Sequence, residues 1–182
     1  MITNYKCDSI IETGTHLGDT TCFLAKTYPH LKIITCESNR MFYDISKTRL
    51  SKYDNVEVVH DSSEKVIEKH LSTTQFPLIY LDAHWEDYWP LQDEIKHITH
   101  GIVCVGDFNI KDARFGFDTY NDIVCDLSHL TQCTTRKIYC NNPNSMYHLP
   151  LMTNQRMGGR AYFFEGTDED YLDKGDNFSI AS

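Results

Sequence analysis

The chain has no long apolar run, no basic stretch and no paired cysteines. No apolar run approaches the length that spans a bilayer, and the opening residues MITNYKCDSI carry no signal-peptide core, so neither membrane insertion nor export is expected. Positive charge is scarce: 17 Lys plus Arg stand against 26 Asp plus Glu, a formal charge of −9. No basic run exceeds two residues. A protein that binds nucleic acid or an anionic membrane needs a basic footprint, so neither partner is expected. The seven cysteines are odd in number, scattered and without a CxxC pair. Cys22, Cys36 and Cys104 fall in segments of helix or strand character and read as small buried hydrophobes rather than zinc or redox groups. A reduced, cytoplasmic setting is the expectation, with a single disulfide left open. There is no repeat and no low-complexity stretch. At 182 residues the chain is long enough for one domain with a real core.

What is present is an alternation of short apolar runs and amphipathic stretches. Ile10 and Ile11 form a β-rich run that ends in Glu12; Gly14 and Gly18 follow, and then the helical CFLAKTY. LKIITCE (31–37) reads as a second strand, and NRMFYDISKTRLSKY (39–53) as a helix with Met41, Phe42, Ile45 and Leu50 at helical spacing. VEVVH (56–60) is a third strand and SSEKVIEKHL (62–71) a capped helix. LIYLD (78–82) is a fourth strand, PLQDEIKHITH (90–100) a helix with Pro90 in its first turn, and GIVCVGD (101–107) a fifth strand. Runs that are apolar throughout, rather than alternating, suit a parallel sheet covered on both faces. Alternating β and α of this length predicts a doubly wound α/β domain. After Asp107, NIKDARFGFDTYND reads as a loop over the open edge of the sheet, followed by a short helix within 120–130. RKIYC (136–140) and RAYFFEG (160–166) read as two more strands, separated by a long irregular connection. The acidic tail from about residue 167 is expected to fray.

In an open parallel sheet, ligands bind beyond the carboxyl ends of the strands. Acids stand at five successive strand ends: Glu12, Glu37, Asp61, Asp82 and Asp107. Helix capping is the alternative use for acids there, although Ser38, Ser62 and Ser63 are available for it. A glycine-bearing strand-to-helix turn lets the backbone approach a ligand and presents unpaired N–H groups, but a tight turn needs glycine in any case. Glu37 is placed to accept both hydroxyls of an adenosine ribose; an exposed turn carboxylate is the plainer alternative. Asp61-Ser62 is placed to receive an adenine amino group, or simply to start a helix. A nicotinamide dinucleotide prefers GxGxxG, with its pyrophosphate on the helix start. Here Gly14-Thr15-His16-Leu17-Gly18 is followed by Asp19, whose charge repels pyrophosphate but tolerates a ligand carrying an amino group and a sulfonium.

ETGTHLGDTT, ITCES, VVHDSSE, IYLDAH and IVCVGDFN, in that order and spacing, resemble class I S-adenosylmethionine (SAM)-dependent methyltransferases. The likeness is to a short subgroup whose first motif begins E-T/I-G-T, and it covers roughly residues 8–110 plus the closing strand pair. It implies a Rossmann-like, mostly parallel seven-stranded sheet with RAYFFEG as an antiparallel closing strand, in one methyltransferase-like domain over residues 1–182. It also implies SAM as cofactor, with Glu12, Gly14, Thr15 and Gly18 at its methionine end, Glu37 on its ribose, and Asp61 with Ser62 at its adenine. Many family members carry a further glycine where this chain has Thr15-His16.

Methyl transfer is an in-line displacement, so the site must position a nucleophile and, for a hydroxyl, take or mask its proton. His84, whose ordinary pKa lies near neutral, is the general-base candidate, with Asp82 and Asp107 facing the same substrate. A histidine bonded to the neighbouring turn is the plainer alternative. Some related O-methyltransferases bind a divalent metal at these two strand ends. Asp82, Asp107 and Asn109 offer hard oxygen ligands for Mg²⁺ or Ca²⁺, although Phe108 separates ligands that are consecutive in those relatives. Trp85, Tyr88 and Trp89 suggest an aromatic wall. ARFGFDTY (113–120) and NQRMGGR (154–160) are candidate lids, with Gly116, Gly158 and Gly159 as hinges. Arg114, Arg156 and Arg160 are available for an anionic substrate group or for surface pairing. The reading is methylation of a small-molecule acceptor, at oxygen. Because the first strand begins within about ten residues of Met1, an open site is expected, covered by the late loops or by a second subunit of a homo-oligomer. Two rivals remain: an NAD-dependent Rossmann oxidoreductase, and a catalytically degenerate methyltransferase-like binding or assembly subunit indifferent to Asp82→Ala and His84→Ala.

Overall fold

The computed structural model describes residues 1–84, 88–145, 157–167 and 177–181. Strand and helix alternate through β1 (Ser9–Thr13), α1 (Asp19–Thr27), β2 (Lys32–Cys36), α2 (Arg40–Leu50), β3 (Val56–Val59), α3 (Ser63–Leu71), β4 (Leu78–Leu81), α4 (Leu91–His97) and β5 (Gly101–Val105). These five strands pair in parallel, in the order β5-β4-β1-β2-β3. The chain runs outward from β1 to β3, then crosses to the other side of β1 for β4 and β5. The order therefore reverses between β1 and β4, which is where such a sheet opens a ligand crevice.

Apolar runs became strands here because both sheet faces are covered. Ile10 and Ile11, and likewise Ile33 and Ile34, are neighbours pointing to opposite faces, and all four have no exposed surface. Ile10 and Ile33 pack with Leu24 and Ala25 of α1, and Ile11 and Ile34 with Val66 and Ile67 of α3 and Ile95 of α4. Burying each such side chain contributes about 2 kcal/mol, so a register slip that exposed either face is strongly disfavoured. Asn39 rather than Ser38 starts α2, its side-chain oxygen accepting the N–H of Met41 at 2.9 Å and of Phe42 at 3.3 Å.

The later part of the chain supplies β6 (Phe115–Gly116), β7 (Thr119–Tyr120), β8 (Ile123–Val124), α5 (Leu127–Cys133), β9 (Tyr139–Asn141), β10 (Met157–Gly158), β11 (Ala161–Glu165) and β12 (Phe178–Ile180). As expected, β11 closes the sheet antiparallel against β5. The sheet has eight strands rather than seven, in the order β12-β9-β11-β5-β4-β1-β2-β3. The extra strand comes from the tail expected to fray: β12 pairs with β9, and Phe178 packs edge-on to Tyr162 at 5.1 Å. Three residues are too short a run to declare a strand in sequence, and only the exposed edge of β9 makes them one. The helix expected within 120–130 begins only at Leu127, where Asp126 caps it by accepting the N–H of His129 at 3.2 Å. Residues 119–124 are instead a β7–β8 hairpin turning on Asn121 and Asp122, both left-handed (φ 48° and 63°).

Segment 113–120 is tied down rather than free to swing. β6 pairs in parallel with β10, and Gly159 donates its N–H to Gly116 at 3.0 Å. Gly159 serves close approach, not hinging: a Cβ there would stand 1.9 Å from the Phe108 carbonyl oxygen. Trp85, Arg156 with the rest of 154–156, and the tail over 168–176 lie outside the described residues. All seven cysteines are free, and all but Cys133 are buried. Among the described residues no helix is long and apolar enough to cross a membrane.

Candidate active site

The turn after β1 is built by three hydroxyls and two carboxylates. Glu12, 1 % exposed, accepts the hydroxyls of Thr21 and Thr35, the latter at 2.7 Å. Thr15 is buried as well, its hydroxyl 2.6 Å from that of Thr35 and its N–H on the Cys36 carbonyl at 3.0 Å. Glu12 and Thr15 therefore brace the turn from beneath rather than offering side chains to a ligand. Gly14 (φ 76°) is the closest approach in the turn: a Cβ would stand 2.6 Å from the Asp82 carbonyl oxygen. His16 takes the left-handed conformation that glycine adopts most easily (φ 47°). Its ring lies 4.4 Å from that of Phe42, and its N–H reaches Glu37 Oε2 at 2.8 Å.

Glu37 is held from two sides. Oε2 takes the His16 N–H and Oε1 the Asn39 N–H, each at 2.8 Å. A carboxylate has about four acceptor positions, so about two remain for hydroxyl donors. Asp61 accepts the Ser62 N–H at 2.8 Å, which holds its carboxyl below the usual range. Ser62 stands at the start of α3 without capping it, and its hydroxyl is buried with no partner among the described residues. An unpaired buried hydroxyl beside an ionised acid fits a polar ligand edge such as adenine. Asp19 is matched by Arg49 at 2.5 Å, which ties α1 to α2 and offsets part of the charge at the helix start.

Beyond β4 and β5 a narrow cleft is lined by Asp82, His84, Trp89, Glu94, Asp107 and Tyr120. Asp82 lies over Gly106, where a Cβ would meet its Oδ1 at 2.1 Å. Burial, with Asp107 and Glu12 nearby, pushes the Asp82 carboxyl up to about 8. Asp107 is left-handed (φ 51°), and burial beside Asp118 raises its carboxyl too. The His84 ring lies 4.7 Å from Tyr120, and Trp89 packs between Tyr120 (4.9 Å) and His129 (4.7 Å). Of the expected aromatic wall, Trp89 lines the cleft while Tyr88 is exposed, with its hydroxyl on Asp93 at 3.2 Å.

Asn109 is anchored in its own turn. Phe108 is drawn into the core at 1 % exposure, and Asn109 spends its side-chain oxygen on the Lys111 N–H at 2.9 Å. Arg114 is a surface pair, gripping Asp112 at 2.9 and 2.8 Å. Arg160 lies with its guanidinium 5.7 Å from the centre of the Tyr80 ring, and its buried NH1 has no partner among the described residues.

Three site groups were not singled out from sequence: Glu94, Asp118 and Tyr120. Glu94 carried a readable signal, since Leu91, Glu94, Ile95 and Ile98 share helical spacing and the acid sits at a core position. It is 1 % exposed and pushed up to about 7 by burial. Thr13 bonds to Glu94, and its hydroxyl oxygen accepts the Asp82 N–H at 3.2 Å.

Glu12, also pushed up to about 7, Glu94 and Asp82 all hold a proton more tightly folded than unfolded. Their contribution to stability is full below about pH 4 and is lost as pH rises through 7 to 8. The carboxyls held low, those of Glu57, Asp61, Asp93 and Asp126, titrate at the acid end and do not offset this. We expect the midpoint of thermal unfolding to fall by about 5 °C or more from pH 5.5 to 8.5, equivalent to about 2 kcal/mol. Glu94→Gln, which keeps the acceptor, should flatten that slope. A flat profile in the unaltered chain would show that the buried acids are compensated.

No protein-family model matches the chain, and no curated protein matches its sequence. Solved structures do match. An O-methyltransferase from Bacillus cereus in complex with SAH superposes with a TM-score of 0.57 at 16 % identity, over 90 % of this chain and 77 % of that one. The O-methyltransferase TomG from Streptomyces achromogenes, involved in tomaymycin synthesis and solved with SAM, gives 0.59 at 16 %, over 91 % and 76 %. The N-methyltransferase NodS from Bradyrhizobium japonicum gives 0.55 at 10 %, over 88 % and 87 %. The chain has the fold of these methyltransferases.

Proposed function

We propose that this protein is a SAM-dependent methyltransferase that acts on a small-molecule acceptor at oxygen. The observation that carries the reading is the Glu37 carboxylate, fixed by two backbone N–H groups at the end of β2 with acceptor positions to spare for ribose hydroxyls. The unpartnered Ser62 hydroxyl beside ionised Asp61 supports it at the adenine end. The glycine turn at Gly14 and Gly18 would take the methionine end, with Glu12 and Thr15 holding the turn in shape. The bound cofactor supplies a sulfonium-activated methyl group. Asp82, His84 and Asp107 line the acceptor side, and Trp89 gives it an apolar wall. His84 is placed to take the proton of an acceptor hydroxyl. Largely protonated Asp82 offers a hydrogen bond at neutral pH. The acidic balance of the chain favours a small acceptor over nucleic acid, in a cytoplasmic setting.

Titration calorimetry of the whole chain with SAM, SAH and NAD tests this. Dissociation constants on the order of micromolar for the two sulfur nucleotides, with NAD silent, are expected. Silence with both, or a preference for NAD, would sink the assignment and leave the fold standing.

A further inference from the structure

We propose that the acceptor carries a primary ammonium group, which the cleft beyond β4 and β5 seats against the carboxylate of Glu94. Calling the ligand an acceptor rests on the transferase reading; the recognition of an ammonium does not.

Three carboxyls line the cleft, those of Asp82, Glu94 and Asp107, and no lysine or arginine lines it among the described residues. Glu94 is the most buried of the three, at 1 % exposure, and its Oε1 has no hydrogen-bond partner among the described residues. Ser63 and Thr13 bond to its carboxyl, and the charged group that acts on it, Glu64, is another acid. Arg160 acts on Asp82 and Asp107 instead. Its guanidinium stands over Tyr80, whose packing cluster lies on the sheet face away from α4, where Ile95 packs with Ile79. Negative charge in the cleft is therefore uncompensated on the α4 side. Burial without a counter-ion pushes the Glu94 carboxyl up, and a cation beside it draws the group back to its ionised form. An open carboxylate oxygen inside the protein asks for a donor that brings positive charge with it.

Size and lining narrow the donor. The room left among these groups takes about one water-sized group. A primary ammonium is of that size and carries three N–H donors. A trimethylammonium group or a guanidinium is larger, and a carboxylate has the wrong sign. Trp89 and Tyr120 line the same cleft with ring centres 4.9 Å apart, and aromatic faces attract a cation that has left water.

Burial also orients the acceptor. Glu94 is enclosed, while His84 is exposed at the mouth of the same cleft. An acceptor that enters ammonium first keeps its hydroxyl beside His84. The two roles do not compete: the ammonium meets a carboxylate, and the imidazole remains the base.

Calorimetry of the whole chain, with and without SAH, is the test, using meta-hydroxybenzylamine, its trimethylammonium form, meta-hydroxybenzyl alcohol and meta-hydroxybenzoate as matched probes. We expect the amine to bind about tenfold or more tightly than any of the other three. Glu94→Gln should bring the amine down to the level of the alcohol, and Glu94→Asp, which keeps the charge, should retain part of the preference. Asp93→Asn removes one charge from the solvent side of the same helix and should leave the preference intact. Circular dichroism confirms folding of each variant, and the probe series on the unaltered chain decides on its own if Glu94→Gln does not fold. An amine bound no better than the alcohol, a preference for the benzoate, equal binding of the trimethylammonium form, or a preference that survives Glu94→Gln overturns the proposal. SAH titrated into the same samples keeps the two readings apart. SAH bound without the amine preference removes only this inference, and the preference without SAH binding removes only the transferase.

Discussion

Glu37→Ala is expected to weaken SAH binding about a hundredfold while leaving the chain folded. Each hydrogen bond from a ribose hydroxyl to a charged carboxylate is worth about 1.5–3 kcal/mol, so losing two removes about 3 kcal/mol or more of affinity. The same substitution strips the acceptors from the N–H groups of His16 and Asn39. His16 is exposed and Asn39 half-buried, so water replaces those bonds and the cost in stability stays near about 1 kcal/mol. Glu37→Gln, which keeps one acceptor oxygen, should fall between the two. Calorimetry with SAH, paired with a thermal melt, reads both effects. Undiminished SAH affinity in Glu37→Ala would place the ribose elsewhere.

Gly159→Ala is expected to be strongly destabilising. The new carbon would stand 1.9 Å from the Phe108 carbonyl oxygen and 3.2 Å from that of Gly116. Both obstacles are backbone, so neither swings aside. The Phe108 N–H is bonded to the Gly159 carbonyl at 3.0 Å and the Gly159 N–H to Gly116 at 3.0 Å. Relieving the clash breaks at least one of these and shifts Asp107, the next residue along. Overpacking of about 1–3 kcal/mol and a lost buried hydrogen bond of about 1 kcal/mol sum to about 3 kcal/mol. Denaturant unfolding reads the loss, and a midpoint equal to the unaltered chain's would mean that the 108–116–159 junction is looser than drawn.

The two predictions rest on parts of the molecule that were unequally legible. Ile10, Ile33, Ile79 and Val103 announce themselves as β because each lies in a run buried on both faces, and burial is a property of the run itself. Glu37 and Asp61 were placed by the general rule that ligands gather at strand ends. The sequence could not show that Glu12 and Thr15 face inward. That depends on Thr21 and Thr35 arriving from other elements. Nor could it show Asp118 beside Asp107, because the approach is made by a hairpin whose only local mark is Asn121-Asp122, a two-residue turn at the junction of the expected loop and the expected short helix. Gly159 looked like a hinge for the same reason. A glycine needed for freedom and one needed for contact are spelled alike, and only the Phe108 carbonyl distinguishes them.

The antiparallel closing strand also sets an order of completion during synthesis. When Val105 has emerged from the ribosome, β1 to β5 are all available, and β5 is an outer strand with Ile102 and Val103 among its residues. Its partner, β11, pairs Ala161 with Val105 and Glu165 with Gly101, and is made much later. Among the described residues the intervening hairpin and α5 do not cover that backbone edge, so the nascent chain carries an apolar strand with an unpaired edge until residues 161–165 are made. Chaperone demand and the hazard of nascent-chain association therefore concentrate in the interval before β11 emerges.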